Sequence, residues 1–179
     1  MKIVEQMASI PLTILPWLSS MEWDSTGVSL HGLCAPVIVI LTPTEPAVFR
    51  RMFPFGPSHN YRLISLYRRG YAPSTPWTEA EAALYKSTDA KDGKKHLRLA
   101  GLQIARFLLQ FATSQAIPKY NEERKTGGIH LVGWSLGTIY LQGILANLDS
   151  LATEELHALE GYLRTVLYFG MYHSTGRKT

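Results

Sequence analysis

The pentapeptide Gly-Trp-Ser-Leu-Gly at residues 133–137 constrains the fold of this chain more than any other segment. An apolar run at 129–132 precedes it, and a stretch with helical character follows at 138–148. Gly-x-Ser-x-Gly between a strand and a helix is typical of a sharp turn that lifts a serine hydroxyl above the edge of a sheet. The pattern therefore predicts a strand, a tight turn and a helix around Ser135.

Each residue of this turn has a mechanical or chemical reason to be there. Gly133 and Gly137 lack the Cβ atoms that would collide where the strand passes into the helix. Ser135 is the candidate nucleophile. The backbone N–H of Leu136 lies at the helix N-terminus, where it can face a developing oxyanion. The alternative is a strand-to-helix turn that arose by chance and has no catalytic role.

Composition favours a single globular domain. The 179 residues are 46% hydrophobic, which is enough for one substantial core. The 18 Lys and Arg residues exceed the 14 Asp and Glu residues by four, but they occur in dispersed pairs and form no basic stripe. We therefore expect no nucleic-acid partner.

The sequence does not indicate a metal site, a cofactor site or a membrane span. Cys34 is the only cysteine, so neither an intramolecular disulfide nor a cysteine-based metal cluster can form. The histidines lack the spacing of a metal site, and we expect neither a metal nor a cofactor. No run approaches the ~20 apolar residues of a membrane span. Because Pro11 and Pro16 interrupt the apolar segment near the N-terminus, we expect a soluble cytoplasmic protein, with secretion as the alternative.

Strands and helices alternate along the chain. Residues 1–23 are interpreted as an irregular lead-in, with a short strand as the alternative, and the polar segment 87–95 as a mobile surface connection. The predicted strands are 37–41, 61–66, 129–132 and 165–169. The predicted helices are 47–52, 79–85, 96–116 and 138–148, with a further helix beginning at Thr153. This alternation predicts an α/β fold with a mainly parallel sheet and flanking helices.

The order of these motifs resembles a known family. A buried strand, a short helix, a second strand leading into Tyr-Arg-Arg-Gly-Tyr-Ala-Pro-Ser-Thr-Pro at 67–76, a long helix and then the pentapeptide are similar to the N-terminal two thirds of the α/β-hydrolase superfamily. The likeness is nearest to fungal-type members with an Arg-Arg-x-Tyr loop. The resemblance implies a serine hydrolase that attacks the ester, thioester or amide carbonyl of a small-molecule acyl substrate and forms an acyl-enzyme at Ser135.

The chain departs from that family at the loop after the first predicted strand. Family members usually place His-Gly there, and the loop contributes an amide to the oxyanion hole. This chain has Thr42 and Pro43 instead, and proline has no N–H to donate. Thr44 is therefore the candidate for the oxyanion loop, with Glu45 as the alternative. His31 precedes the strand and is a weaker candidate for a displaced motif.

The acid and histidine of the family follow the serine in chain order. Here Asp149 is the first aspartate after Ser135 and lies at the far end of the predicted helix, on the opposite edge of the sheet. His173 is a weak candidate base, and the alternative is a disordered terminal histidine. Residues 24–179 are therefore interpreted as a partial α/β-hydrolase domain that lacks the C-terminal acid and histidine region.

Two hypotheses follow. The first is a serine hydrolase whose activity is impaired because its triad is incomplete. The second is a catalytically inactive, truncated hydrolase that acts as a binding or interaction protein. Its last strand would then be an exposed edge that favours self-association.

Structural rather than catalytic roles are expected for several other polar and aromatic side chains. His130 is interpreted as a packed strand residue, and His157 as a solvated helix residue. Arg68 and Arg69 are expected to hold their loop by hydrogen bonds to loop carbonyls, with contact to an anionic substrate as the alternative. Trp134 has two alternative roles: it lines an acyl pocket, or it only packs against its neighbours.

Overall fold

The computed structural model describes residues 21–23, 37–41, 49, 51–66, 69–71 and 74–170. Thr44, Arg68 and His173, together with His31, lie outside these ranges. Within these ranges the strands are β1 (Met21–Trp23), β2 (Val37–Leu41), β3 (Arg62–Leu66), β4 (Ile129–Trp134) and β5 (Leu163–Phe169). The α-helices are α1 (Phe55–Ser58), α2 (Glu79–Lys86), α3 (Ala90–Ser114), α4 (Gly137–Leu145) and α5 (Thr153–Tyr162).

The strands form one sheet in the order β1-β3-β2-β4-β5. Strands β3, β2, β4 and β5 are parallel to one another, whereas β1 pairs antiparallel with β3. The predicted α/β fold with a mainly parallel sheet is therefore confirmed. Strand β1 corresponds to the short strand that was the alternative for the end of the lead-in.

The main core lies between one face of the sheet and helices α3, α4 and α5. Strand β2 runs through the centre, which explains its continuous apolar sequence. On the core face the strand side chains include Val39, Ile64 and Leu131, and the helices contribute Phe107, Leu108, Leu141, Ile144 and Leu159. This packing places the carboxyl ends of β2 and β4 side by side, with Leu41 in register with Gly133.

The prediction of a surface connection at 87–95 is wrong over most of its length. Helix α3 begins at Ala90 because its polar first turns are well capped. The Asp89 carboxylate accepts the Lys91 N–H at 2.7 Å, and the Ser87 hydroxyl donates to the Asp92 carboxylate at 2.7 Å. His96 consequently lies inside the helix rather than at its start.

Two further predictions shift in detail. In the predicted helix 47–52, the described residues Phe49, Arg51 and Met52 have 3-10 geometry, and the α-helix comes later, at Phe55–Ser58. The helix predicted at 138–148 spans Gly137–Leu145, and a 3-10 turn follows at Leu148–Ser150. Asp149 lies in that turn, at the end of the helix remote from Ser135, as expected.

Candidate active site

Ser135 lies in a strained turn between β4 and α4. Strand β4 ends at Trp134 and helix α4 begins at Gly137, so the predicted strand, turn and helix are present. The φ angle of Ser135 is 52°, in the left-handed region that side chains other than glycine rarely adopt. Such strain persists only where surrounding contacts impose it, and it is concentrated at functional sites. Ser135 is half-buried, so its hydroxyl lies near the molecular surface.

The two flanking glycines are required by close backbone contacts. A Cβ on Gly133 would lie 2.9 Å from the Cα of Thr138. A Cβ on Gly137 would collide with the carbonyl group of Leu41 at the end of β2. Glycine at both positions therefore lets α4 start directly over the ends of two neighbouring strands.

Hydrogen bonds hold the turn from both sides. The Ser135 N–H donates to the carbonyl of Phe169 on β5 at 2.9 Å. The Ser135 carbonyl accepts the N–H of Thr138 at 3.0 Å and the hydroxyl of Thr138 at 2.6 Å. Thr138 is only 5% exposed, so these bonds are shielded from water. Both polar groups of the Ser135 main chain are thus satisfied in the strained conformation.

Leu136, the candidate oxyanion donor, follows Ser135 at the start of α4. It is the N-cap of α4, and its carbonyl accepts the Ile139 N–H at 3.1 Å. The first N–H groups of a helix have no intrahelical acceptor and carry the positive end of the helix dipole. Strand β2 ends beside the turn, with Leu41 in register with Gly133, and Thr44 lies outside the described residues.

The described residues provide no activating base beside Ser135. Among them, no histidine or carboxylate is hydrogen-bonded to the Ser135 side chain. His59 contacts the carbonyl of Phe55, and His157 is an exposed residue of α5 that pairs with Glu160 at 3.3 Å. The solvated position predicted for His157 is confirmed.

His130 is also unsuitable as a base for Ser135. Four residues of extended strand, about 13 Å, separate it from Trp134. Its ring packs edge-on against Tyr61, with the ring centroids 5.6 Å apart. Burial, and then the positive charge of Arg164, lower the pKa of His130 below its usual value of 6.5. The prediction that His130 is a packed strand residue is confirmed.

Trp134 contacts residues on two sides of the elbow. Its ring packs edge-on against Phe49 with the centroids 5.2 Å apart. A Cβ on Gly170 would lie 3.4 Å from the Trp134 ring. These contacts give Trp134 a packing role, while the half-buried side chain remains accessible at the carboxyl edge of the sheet.

A mainly apolar cleft that contains a few polar side chains lies between the loop after β3 and helices α2, α3 and α4, and no sequence pattern predicts it. Its empty volume is about 410 Å³, it is partly open to solvent, and Trp77, His96 and Tyr140 supply aromatic walls. The Glu81 carboxylate accepts hydrogen bonds from Arg69 at 2.5 Å and from Gln103 at 2.9 Å.

The charges in this cleft are satisfied mainly by one another. Burial alone would raise the pKa of Glu81, but hydrogen bonds from Thr78 and Gln103 and the charge of Arg69 together hold that pKa below its usual value. Arg69 also donates to the Pro76 carbonyl at 3.3 Å. The structural role predicted for Arg69 is therefore confirmed. No sequence spacing predicted the cleft, because its members come from separate elements.

The side chains and helices of the described part of the chain bear on the expectations about metals and membranes. No group of three or more His, Cys, Asp or Glu side chains there is arranged to hold a metal ion. None of the helices there is both long and apolar enough to cross a membrane.

Comparison with known proteins finds similarity to solved structures. No protein-family model and no curated protein matches the sequence. Among solved structures, the chain is similar to the crystal structure of bromoperoxidase from Bacillus anthracis, with 18% sequence identity and a TM-score of 0.46. The similarity covers 84% of this chain and 39% of that chain. The chain thus spans about two fifths of the length of that protein, and the functional argument rests on the geometry around Ser135.

Proposed function

We propose that this chain is a serine hydrolase of the α/β-hydrolase type, with Ser135 as its nucleophile. The observation that carries the proposal is the φ angle of 52° at Ser135, in a strand-to-helix turn whose two glycines admit no Cβ. That geometry places a half-buried serine hydroxyl beside the N–H groups at the start of a helix, an arrangement typical of acyl-transfer sites. The substrate class is a small molecule with an ester, thioester or amide carbonyl.

In the proposed reaction the Ser135 Oγ attacks the carbonyl carbon while a base takes the hydroxyl proton. The carbonyl π electrons move to oxygen, and the Leu136 N–H stabilises the oxyanion, with Thr44 as the candidate second donor. The oxyanion then collapses, the bond to the leaving group breaks, and the leaving group takes the proton from the base. Water attacks the acyl-enzyme in the same way, releasing the carboxylic acid and restoring the Ser135 hydroxyl.

The base and the acid that orients it are the missing parts of this scheme. His173 is the candidate base within the sequence, and it lies outside the described residues. We infer that residues 24–179 form a partial domain that lacks the C-terminal acid and histidine region, and that His173 serves as the base for Ser135. Without a base, only binding and the oxyanion donors contribute, and these leave roughly 10³- to 10⁴-fold catalysis over water in a serine hydrolase.

The alternative is a hydrolase-like protein without catalysis that acts by binding. The observation favouring it is that no described histidine or carboxylate is hydrogen-bonded to Ser135. Under this alternative the strained turn serves only to pack α4 on the sheet, and exposed surfaces of the sheet bind the partner.

A fluorophosphonate probe distinguishes the two, because it phosphonylates a serine only when that serine is activated. The purified chain is incubated with the probe and its intact mass is measured, beside Ser135→Ala and the control Ser58→Ala, which removes an exposed hydroxyl from α1. We expect one adduct on the wild type and on Ser58→Ala, and none on Ser135→Ala. An unlabelled wild type would refute activity of the isolated chain, and equal labelling of Ser135→Ala would refute the assignment of the nucleophile.

A further inference from the structure

The cleft between the loop after β3 and helices α2, α3 and α4 has the make-up of a small-molecule site. Such sites are concave and mainly apolar, with a few polar groups that orient the ligand. Aliphatic and aromatic side chains form most of the walls of this cleft, and its polar side chains are Arg69, Glu81 and Gln103. Ser135 does not line it, so a ligand bound here would occupy a second site.

Contacts between aromatic rings fix the walls of the cleft. The ring of His96 packs edge-on against Trp77 and against Tyr140, with centroids 5.7 and 6.3 Å apart. Tyr85 supports both Trp77 and His96, with its centroid 4.2 and 5.3 Å from theirs. Aromatic rings attract a further ring through edge-to-face and offset contacts. Because these walls are already packed, they favour an aromatic ligand at little cost of reordering.

The charges in the cleft form a closed pair. The Glu81 Oε1 atom accepts hydrogen bonds from Arg69 and Gln103, and its Oε2 atom accepts the N–H and the hydroxyl of Thr78, both at 2.9 Å. Arg69 uses its two terminal nitrogens for Glu81 and the Pro76 carbonyl. An ionic ligand would have to break this pair or remain unpaired beside it, and both are costly in a part-buried site. An uncharged ligand is therefore favoured.

The side-chain oxygen of Gln103 is the acceptor that remains for a ligand. A carboxylate can only accept, so the amide nitrogen of Gln103 must face Glu81, which leaves the amide oxygen for another partner. The bond to Glu81 is the one hydrogen bond of the Gln103 side chain among the described residues. Its oxygen is not one of the sealed, unpartnered polar atoms of that part of the chain. A ligand N–H or O–H can therefore reach it.

We propose that this cleft binds a small uncharged aromatic molecule whose ring carries one N–H or O–H group, and that this group donates to the Gln103 side-chain oxygen. The aromatic walls formed by Trp77, His96 and Tyr140 hold the ring. Glu81 fixes the orientation of the Gln103 amide and makes no bond to the ligand. Recognition thus combines an apolar, aromatic surface with a single oriented acceptor.

Indole and benzofuran test the oriented acceptor, because they share a shape and only indole has a ring N–H. Titration calorimetry on the purified chain should show indole binding about 3- to 10-fold more tightly, as expected for one hydrogen bond. Gln103→Leu should abolish this preference, and Gln142→Leu, the same change at an exposed position of α4, should keep it. No binding of indole, equal affinity for the two ligands, or a preference that survives in Gln103→Leu would overturn the proposal.

A second variant keeps the test valid if Gln103→Leu does not fold. Ala100→Leu fills part of the cleft and leaves its polar groups unchanged. We expect it to weaken indole binding by more than about tenfold, because the added isobutyl group occupies the space of the ligand ring. Ala83→Leu makes the same change at an exposed position of α2 and should bind indole like the wild type. Unchanged binding by Ala100→Leu, or equal losses in both variants, would place the ligand elsewhere and overturn the proposal.

Benzoate and phenyltrimethylammonium test the preference for an uncharged ring. We expect both ions to bind more weakly than indole. Tighter binding of benzoate would mean that Arg69 leaves Glu81 for an anion, and tighter binding of the ammonium ion would mean that the aromatic walls select a cation; either result would overturn the proposal. Ser135→Ala should bind indole like the wild type, so this outcome is independent of whether Ser135 reacts with a fluorophosphonate.

Discussion

The main-chain N–H of Ser135 donates to the carbonyl of Phe169 over 2.9 Å. This bond joins the strained turn to the last residue of β5, so the candidate nucleophile and the edge strand form one structural unit. The opposite side of the turn is held by Thr138, and the two sides together fix Ser135 in the left-handed conformation. Stability measurements can test each contact separately.

Thr138→Val should lower the free energy of unfolding by about 1–2 kcal/mol, because it removes the buried hydroxyl that donates to the Ser135 carbonyl. Thr113→Val is the matched control, since the Thr113 hydroxyl donates to the Leu109 carbonyl at an exposed site. Its effect should stay within about 0.5 kcal/mol. Urea unfolding measures both. Equal effects of the two substitutions would show that the buried hydrogen bond contributes no more to the free energy of unfolding than the exposed one.

Gly137→Ala should destabilise the fold by about 2–4 kcal/mol, since its Cβ meets the Leu41 carbonyl and the backbone must shift. Gly93→Ala makes the same chemical change within α3, where a Cβ has no neighbour within 4 Å. That variant should gain about 0.5–1 kcal/mol, since alanine favours the helix. Thermal unfolding of the two variants gives the comparison. A Gly137→Ala protein as stable as wild type would contradict the close packing of α4 on β2.

Ser135→Gly should be more stable than Ser135→Ala by about 0.5–1 kcal/mol, because glycine adopts the positive φ angle of 52° without a Cβ penalty. At an ordinary helix position the order would be reversed. Urea unfolding of the two variants decides between these orders. A more stable Ser135→Ala would mean that the turn is not strained in solution.

His130→Phe should change how stability depends on pH. Burial lowers the pKa of His130 in the folded state, so the folded chain binds fewer protons than the unfolded chain below the ordinary histidine pKa. Wild-type stability should therefore fall as pH drops from about 7.5 to about 5.5, and His130→Phe should lack that part of the decrease. The midpoints of urea unfolding, measured for both proteins across this pH range, give the difference in stability. Parallel pH profiles for the two proteins would refute a lowered pKa of His130 in the folded chain.

The features that the sequence predicts well are those with short-range causes. The elbow is recognisable because Gly133 and Gly137 flank a serine at a fixed spacing, and β2 because its apolar run is continuous. Helix α3 begins six residues earlier than its apolar pattern predicts, because capping by Asp89 outweighs the polar composition of the first turns. The capping residue is visible in the sequence and was the available signal.

Features made by long-range pairing were not predictable in the same way. Glu81 receives hydrogen bonds from residues 12 and 22 positions away, Arg69 and Gln103, which share no periodic pattern. Pairing of Met21–Trp23 with β3 depends on register over a separation of more than 40 residues, and three residues carry too little pattern to specify it. The cleft and the antiparallel edge therefore emerge only from the folded chain.

The most direct test of the central claim is the site at which a fluorophosphonate reacts with the purified chain. Peptide mapping of the labelled protein should place one phosphonyl group on Ser135, with loss of labelling in Ser135→Ala and unchanged labelling in Ser58→Ala. Absence of an adduct, or an adduct on another residue, would contradict the account of Ser135 as an activated nucleophile.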